Sequence, residues 1–140
     1  MRARLVRADA ATEPVDVPAS PADARAVIYS AIGCDTAEAV CVISPGQRGP
    51  GVDMWVRCDD PPAGDPVVNV AAAAIVAFLS RRQVRRPFTG PVLFTGGPVP
   101  GRAAGPLTSD YDEIIATIAA TLRTATTCLA SRPPAEGGPA

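Results

Sequence analysis

Alternating and continuous apolar runs along the first two thirds of the chain predict four strands. They lie at residues 2–7, 39–44, 52–58 and 91–95. Apolar positions at helical spacing predict two helices between them, at residues 21–32 and 70–83. Val15 and Val17 predict a short antiparallel ribbon beside the first strand. The resulting strand–helix–strand–strand–helix–strand order predicts an α+β fold with a ferredoxin-like βαββαβ sheet, also called a split βαβ sheet.

The ends of both helices carry sequence signals. Ser20 is the predicted N-cap of the first helix, and Gly33 is the predicted stop at its C-terminus. The second helix has Asn69 or, one turn earlier, Asp65 as its predicted cap. This helix is apolar on every side as far as Ser80. We therefore expect it to be covered on more than one side.

The second and third strands differ in their patterns. Residues 40–43 are all apolar, which predicts burial on both faces of the second strand. The third strand alternates, with Met54 and Val56 on one face and Asp53, Trp55 and Arg57 on the other. We expect the first of these faces to join the core and the second to carry the only Trp of the chain.

Beyond the predicted α+β domain of residues 1–96, residues 97–107 are rich in Pro and Gly and predict a linker. Residues 108–131 predict a C-terminal amphipathic helix, packed either on the domain or on a partner. Its apolar stripe consists of Tyr111, Ile114, Ile115, Ile118, Leu122, Ala125 and Leu129. Residues 132–140 consist mainly of Pro, Gly and Ala, which predicts a disordered tail.

The amino-acid composition limits the ligands and metals that the chain is expected to bind. All 13 basic residues are Arg, and the chain has neither Lys nor His. A net charge of −1 gives no overall attraction to nucleic acid or to an anionic membrane. The four cysteines lack Cys-x-x-Cys spacing, so we predict neither a metal nor a cofactor. Cys41 and Cys58 fall at strand positions that suit a small buried side chain.

Two features of the sequence bear on the cellular location of the protein. The longest uncharged apolar run, residues 66–80, has 15 residues, fewer than the ~20 that cross a bilayer as a helix. Residues 1–4 lead directly into a strand and not into the apolar stretch of a signal peptide. We expect a soluble cytoplasmic protein with no membrane partner.

Several short motifs between residues 2 and 96 invite comparison with a known family. They are Pro14-Val15-Asp16-Val17, Gly33, Met54-Trp55-Val56-Arg57-Cys58-Asp59-Asp60, residues 69–74 and Gly90-Pro91-Val92. In these motifs the chain resembles the domain-of-unknown-function family 3846, uncharacterised small proteins common in phages and actinobacteria. The resemblance implies an accessory protein of phage or mobile-element type in a bacterial cytoplasm, with no activity to carry over.

The first candidate binding group is centred on the third strand. Trp55 and Arg57 share one strand face, and Arg2 and Arg4 are expected beside them on the neighbouring strand. Aromatic side chains on an open sheet stack bases in RNA-recognition domains of the same βαββαβ order. Packing of Trp55 under the third helix is the alternative.

The second candidate group is an arginine cluster at the end of the second helix. It consists of Arg81, Arg82, Arg85 and Arg86. Four guanidinium groups close together are typical of a phosphate site. Cations at the C-terminus of a helix also complement the helix dipole, which is a purely structural reason for their presence.

We do not predict catalysis. Without His or Lys, no nucleophile, base and orienting group occur together at a recognisable spacing. Asp59, Asp60 and Asp65 surround a Pro-Pro-Ala-Gly turn, where they suit either a hard cation or an acid pair, or the turn itself.

We therefore predict a non-catalytic binding or interaction protein that acts as an accessory factor of phage or mobile-element type. Its predicted binding surface combines Trp55 and Arg57 with the arginine cluster. Homodimerisation through the second or third helix is expected, and a host protein is a further candidate partner. The alternative is a single-stranded nucleic-acid or nucleotide-binding domain that uses the same residues.

Overall fold

The structure, a computed structural model, describes residues 1–46, 49–58 and 67–130. Within these residues the chain forms five strands and three helices. In chain order they are β1 (Arg2–Val6), β2 (Thr12–Asp16), α1 (Pro21–Ile32), β3 (Ala37–Ile43), β4 (Val52–Arg57), α2 (Val70–Ser80), β5 (Val92–Gly96) and α3 (Ser109–Ala130). The predicted α+β class is confirmed. The predicted tail, residues 132–140, lies outside the described residues.

The strands form a single antiparallel sheet in the order β2-β1-β5-β4-β3. The prediction of a ferredoxin-like sheet is not confirmed, because that arrangement requires β4 beside β1, whereas here β5 lies between them. The cause is the β1–β2 ribbon, which pairs along the whole of β1 from Arg2 to Val6. One edge of β1 is thereby occupied, so only β5 pairs with the other.

The helices cover both faces of the sheet. Ile28 of α1 belongs to one buried cluster with Leu93 of β5. Ile75 of α2 and Ile115 of α3 belong to a second cluster on the opposite face with Phe94. Because neighbouring residues of a strand point to opposite faces, β5 contributes to both cores. No helix within the described residues combines the length and apolar character that a bilayer crossing requires.

The predicted helix signals agree with the structure at three of four ends. Ser20 occupies the N-cap position of α1, although its side chain accepts no capping hydrogen bond from the described helix, and Gly33 ends α1 in the left-handed conformation with a φ of 77°. Asn69 is the N-cap of α2 and accepts a hydrogen bond from the Ala72 backbone N–H at 2.9 Å. The C-terminus of α2 differs, since the helix ends at Ser80 and not at residue 83.

Residues 97–107, the predicted linker, are bonded to the sheet through their backbone. Gly96 and Gly105 exchange two N–H···O bonds of 3.0 and 3.3 Å, and the Leu107 N–H donates to the Arg2 carbonyl at 2.9 Å. A Cβ at Gly96 would lie 2.1 Å from the Pro106 carbonyl oxygen. Glycine allows this close approach of two backbones. The segment therefore holds α3 against its own domain.

β3 is less buried than its sequence predicts. It is one of the two edge strands of the sheet, and only Ala37 and Val42 are buried within it. Cys41 and Cys58, which were expected in the core, are both exposed. An unbroken apolar run predicts burial on two faces only when the strand has neighbours and cover on both sides. As an edge strand, β3 lacks one of these neighbours.

Candidate functional site

The arginine cluster lies directly after α2 and not within it. Arg81 takes a left-handed backbone conformation, with a φ of 56°, which ends the helix. The Ser80 hydroxyl donates to the Val76 carbonyl at 2.6 Å and accepts from the Arg82 backbone N–H at 3.3 Å. The four arginines therefore do not follow the helical spacing predicted for them.

All four side chains of the arginine cluster are exposed. None of these guanidinium groups forms an ion pair or a hydrogen bond with a residue of the described part of the chain. By contrast, Arg4 and Arg7 both pair with carboxylates. No carboxylate of the described residues therefore neutralises the charge of the cluster.

Two adjoining grooves lie between the end of α2 and the edge strand β3. The polar groove has a volume of 350 Å³ and is lined by Cys41, Val42, Ile43, Ser44, Leu79, Ser80, Arg81 and Arg82. The mixed groove has a volume of 190 Å³ and is lined by Cys41, Val42, Val76, Ser80, Arg82, Gln83, Val84, Arg85, Arg86 and Phe88. The shared residues, Arg82 among them, make the two grooves continuous. All four members of the arginine cluster line one groove or both.

Trp55 is buried and does not belong to this site. Its side chain joins the cluster beneath α1 and is only 7% exposed. The indole Nε1–H donates to the Thr95 hydroxyl at 3.1 Å, so its polar group is also satisfied within the fold. Packing under the third helix was predicted, but α3 lies on the opposite face of the sheet. The covered ring offers no open face on which a base could stack.

Arg57 and the two N-terminal arginines are also separated from the arginine cluster. Arg57 donates to the Gly33 carbonyl at the end of α1. Arg2 and Arg4 approach Asp112 of α3, on the face opposite Trp55. The predicted surface of Trp55, Arg57 and the arginine cluster is therefore not a single site, and only the arginine cluster remains together.

A second surface, the α2–α3 groove, has an apolar lining. It has a volume of 680 Å³ and is lined by Phe78, Asp110, Glu113, Ile114, Thr117 and Ile118. Phe78 is 63% exposed, which is unusual for a large aromatic side chain on a packed helix. Asp110 and Glu113 are exposed and supply acidic groups beside these apolar side chains. A concave apolar surface with a charged rim is typical of a protein interface.

The C-terminal end of α3 does not pack on the domain. The helix packs against the buried cluster as far as Leu122, whereas residues 123–129 are all exposed. Leu129, in the predicted apolar stripe, is 67% exposed. Arg123 is the single charged side chain among residues 123–129. We call residues 123–129 the projecting end of α3.

The sequence did not predict Phe78 or the α2–α3 groove, because a helix that is apolar on every side does not show which side stays open.

The sequence pattern placed Asp53 on a strand face but did not predict that it is buried, with only 7% of its surface exposed. Burial raises the pKa of this carboxyl above its ordinary value of 3.8. The only sequence signal for this buried carboxyl was the position of an acid within an alternating strand.

The predicted acidic group, Asp59, Asp60 and Asp65, lies outside the described residues. Within the described ranges, no three His, Cys, Asp or Glu side chains are grouped so that they could hold a metal ion. Comparisons of the chain with family models, with curated proteins and with solved structures found no match. The resemblance to the domain-of-unknown-function family 3846 therefore stays a prediction.

Proposed function

We propose that the protein is a non-catalytic interaction protein that self-associates through the α2–α3 groove. The observation that carries this proposal is the 63% exposure of Phe78 beside Ile114 and Ile118. Removing such an apolar surface from water favours association by roughly 25 cal/mol for each Å² buried.

The occupant that fits the groove is the projecting end of α3 from a second copy of the chain. Ala125 and Leu129 are four residues apart and exposed, so they form one apolar stripe of the helix. An amphipathic helix in an apolar groove is a common mode of recognition. Because each copy has both a groove and a projecting end, a two-fold dimer would use both twice.

Charge complementarity also favours a second copy. Asp110 and Glu113 supply negative charge beside the groove, and the projecting end carries only the positive charge of Arg123. None of these three side chains has an ion-pair partner among the described residues. Pairing between copies would complete the rim of the interface.

Sedimentation equilibrium of the full chain tests the proposal. We expect a dimer whose dissociation constant rises at least tenfold on Phe78→Glu or Leu129→Glu, because each change puts a charge into an apolar contact. Val99→Glu is the control, since Val99 is an exposed apolar residue outside the groove. A monomer at 100 μM protein, or dimerisation unchanged by both variants, would refute the proposal.

A charge exchange tests the pairing more sharply. Glu113→Arg should weaken the dimer by repelling Arg123, and the second change Arg123→Glu should restore it. If the double variant is as weak as Glu113→Arg alone, the two residues do not face each other across the interface.

The resemblance noted in the sequence adds the proposal that this interaction protein is an accessory factor of phage or mobile-element type in a bacterial cytoplasm. The alternative, a nucleic-acid-binding domain that stacks bases on Trp55, loses its supporting residue because the ring is covered by α1. Capture of a host protein would be recognised by a heteromeric complex that Phe78→Glu disrupts.

A further inference from the structure

The arginine cluster concentrates charge in a chain that is nearly neutral overall. Its four guanidinium groups are always protonated, whereas the whole chain has a net charge of −1. The dipole of α2 gives a helix C-terminus the equivalent of only about half a negative charge. Complementing this dipole requires one cation at most, so it does not explain four.

The backbone conformation of Arg81 is a second, independent observation that points to a ligand site. A helix that ends in the left-handed conformation usually has Gly at this position, because other residues are strained there. Here the position is held by Arg81, with a φ of 56°, and its side chain lines the polar groove. Strained residues are frequent at ligand sites, where the side chain serves a purpose that glycine would not.

The two grooves differ in the chemistry that they offer. The polar groove presents Arg81 and Arg82 together with the exposed hydroxyl of Ser44. The mixed groove sets Arg85 and Arg86 around the apolar side chains of Val76, Val84 and Phe88. A ligand that filled both grooves would carry several negatively charged oxygens next to an apolar group or a ring.

We propose that these grooves bind a phosphate-bearing small molecule, with its phosphates held by Arg81 and Arg82 in the polar groove. Guanidinium groups pair with phosphate oxygens through two parallel hydrogen bonds, which gives both affinity and orientation. A nucleotide would place its ring in the mixed groove against Phe88, whereas free polyphosphate would use the arginines alone. The site is built by one copy of the chain and does not include Phe78, so it is independent of self-association.

Isothermal titration calorimetry of the full chain with ATP, inorganic tripolyphosphate and adenosine tests this site. We expect ATP to bind, its affinity to fall several-fold between 50 and 500 mM NaCl, and adenosine not to bind. The double variant Arg81→Gln/Arg82→Gln should weaken binding of ATP at least tenfold. The matched control is Arg25→Gln/Arg102→Gln, which removes the same charge from exposed arginines outside both grooves and outside the proposed dimer interface and should leave the affinity unchanged.

The single variant Arg81→Gly separates loss of the side chain from loss of the fold. Glycine accepts the left-handed conformation, so this variant should melt at or above the temperature of the wild type while it binds ATP less tightly. Weaker binding together with unchanged folding supports the phosphate site.

The relative affinities identify the source of the phosphate. ATP that binds at least tenfold more tightly than tripolyphosphate would support a nucleotide with its ring in the mixed groove. Equal affinities that both fall in the Arg81→Gln/Arg82→Gln variant would support free polyphosphate at the same arginines. No binding of either compound, or binding that the variant leaves unchanged, would overturn the proposal.

Discussion

Arg4 on β1 and Asp112 on α3 form a two-point ion pair. Nε of Arg4 lies 2.5 Å from one carboxylate oxygen, and Nη2 lies 3.1 Å from the other. Both side chains are largely buried, at 16% and 9% exposure, and the Thr12 hydroxyl accepts a further bond from Arg4 at 3.3 Å. The pair joins α3 to the first strand across 108 residues of sequence.

We expect Asp112→Asn to lower the free energy of unfolding by about 3 kcal/mol, because it leaves the Arg4 charge buried without its partner. Urea denaturation of the full chain measures this. Asp23, an exposed acid in the first turn of α1, gives the control, and Asp23→Asn should change the free energy by less than about 0.5 kcal/mol. Equal effects of the two variants would contradict a stabilising role for the buried pair.

Asn69 is fully buried and uses both ends of its amide. Its Nδ2 donates to the carbonyls of Val6 and Gly90 at 3.1 and 2.9 Å, while Oδ1 caps α2. Asn69→Asp keeps the cap but sets a carboxylate against two carbonyl oxygens, so we expect a loss of about 3 kcal/mol or more at pH 7. Asn69→Ala loses the cap together with the two donated bonds. It should nevertheless lower the free energy of unfolding by less, about 2 kcal/mol, because it sets no carboxylate against the two carbonyl oxygens.

Thermal unfolding followed by circular dichroism ranks these two variants. If Asn69→Asp is as stable as the wild type, capping of α2 is the only contribution of Asn69. If Asn69→Ala is the less stable variant, the two donated bonds matter less than the cap.

Asp53 should make the protein less stable as the pH rises. Because burial raises its pKa in the folded state above 3.8, the folded chain binds more protons than the unfolded chain in the interval between the two pKa values. The stability associated with the neutral carboxyl is complete below pH 3.8 and is lost as the pH rises through the folded-state pKa.

Asp53→Asn should therefore raise the free energy of unfolding at pH 7, and the gain should shrink towards zero below pH 3.8. Denaturation of both proteins at several pH values measures the difference. A gain that is independent of pH would show that ionisation of Asp53 has no part in it.

Two glycines offer a matched test of backbone packing. In Gly96→Ala the new Cβ would lie 2.1 Å from the Pro106 carbonyl oxygen, and we expect a loss of about 3 kcal/mol. In Gly46→Ala the Cβ would meet no atom of the described residues within 4 Å, and the change should be within about 0.5 kcal/mol. Chemical denaturation compares them, and similar values would mean that residues 97–107 can move away from the sheet at little cost.

Local patterns predicted the local features well. The C-terminus of α1 follows from Gly33, and the N-terminus of α2 from Asn69, because capping depends on neighbouring residues. Ser20 marks the start of α1 by its position, without a capping bond from its side chain. The alternation of β4 correctly separated Met54 from Trp55 onto opposite faces.

Features that depend on distant parts of the chain could not be predicted. Which strand pairs with β1, and which helix covers Trp55, are decided by contacts between segments far apart in sequence. The left-handed turn at Arg81 lacks the glycine that usually signals it, so the second helix was predicted too long. Consequently the arginine cluster was recognised, but its grooves with β3 were not.

The central position of β5 has a consequence for the order of folding. Residues 2–16 can form the β1–β2 ribbon and residues 37–57 the β3–β4 ribbon soon after synthesis, since both pairings are local. The two ribbons become one sheet only when β5, at residues 92–96, pairs with both β1 and β4. Contacts of such high sequence separation slow folding, so we expect the sheet to close only after residues 92–96 have left the ribosome.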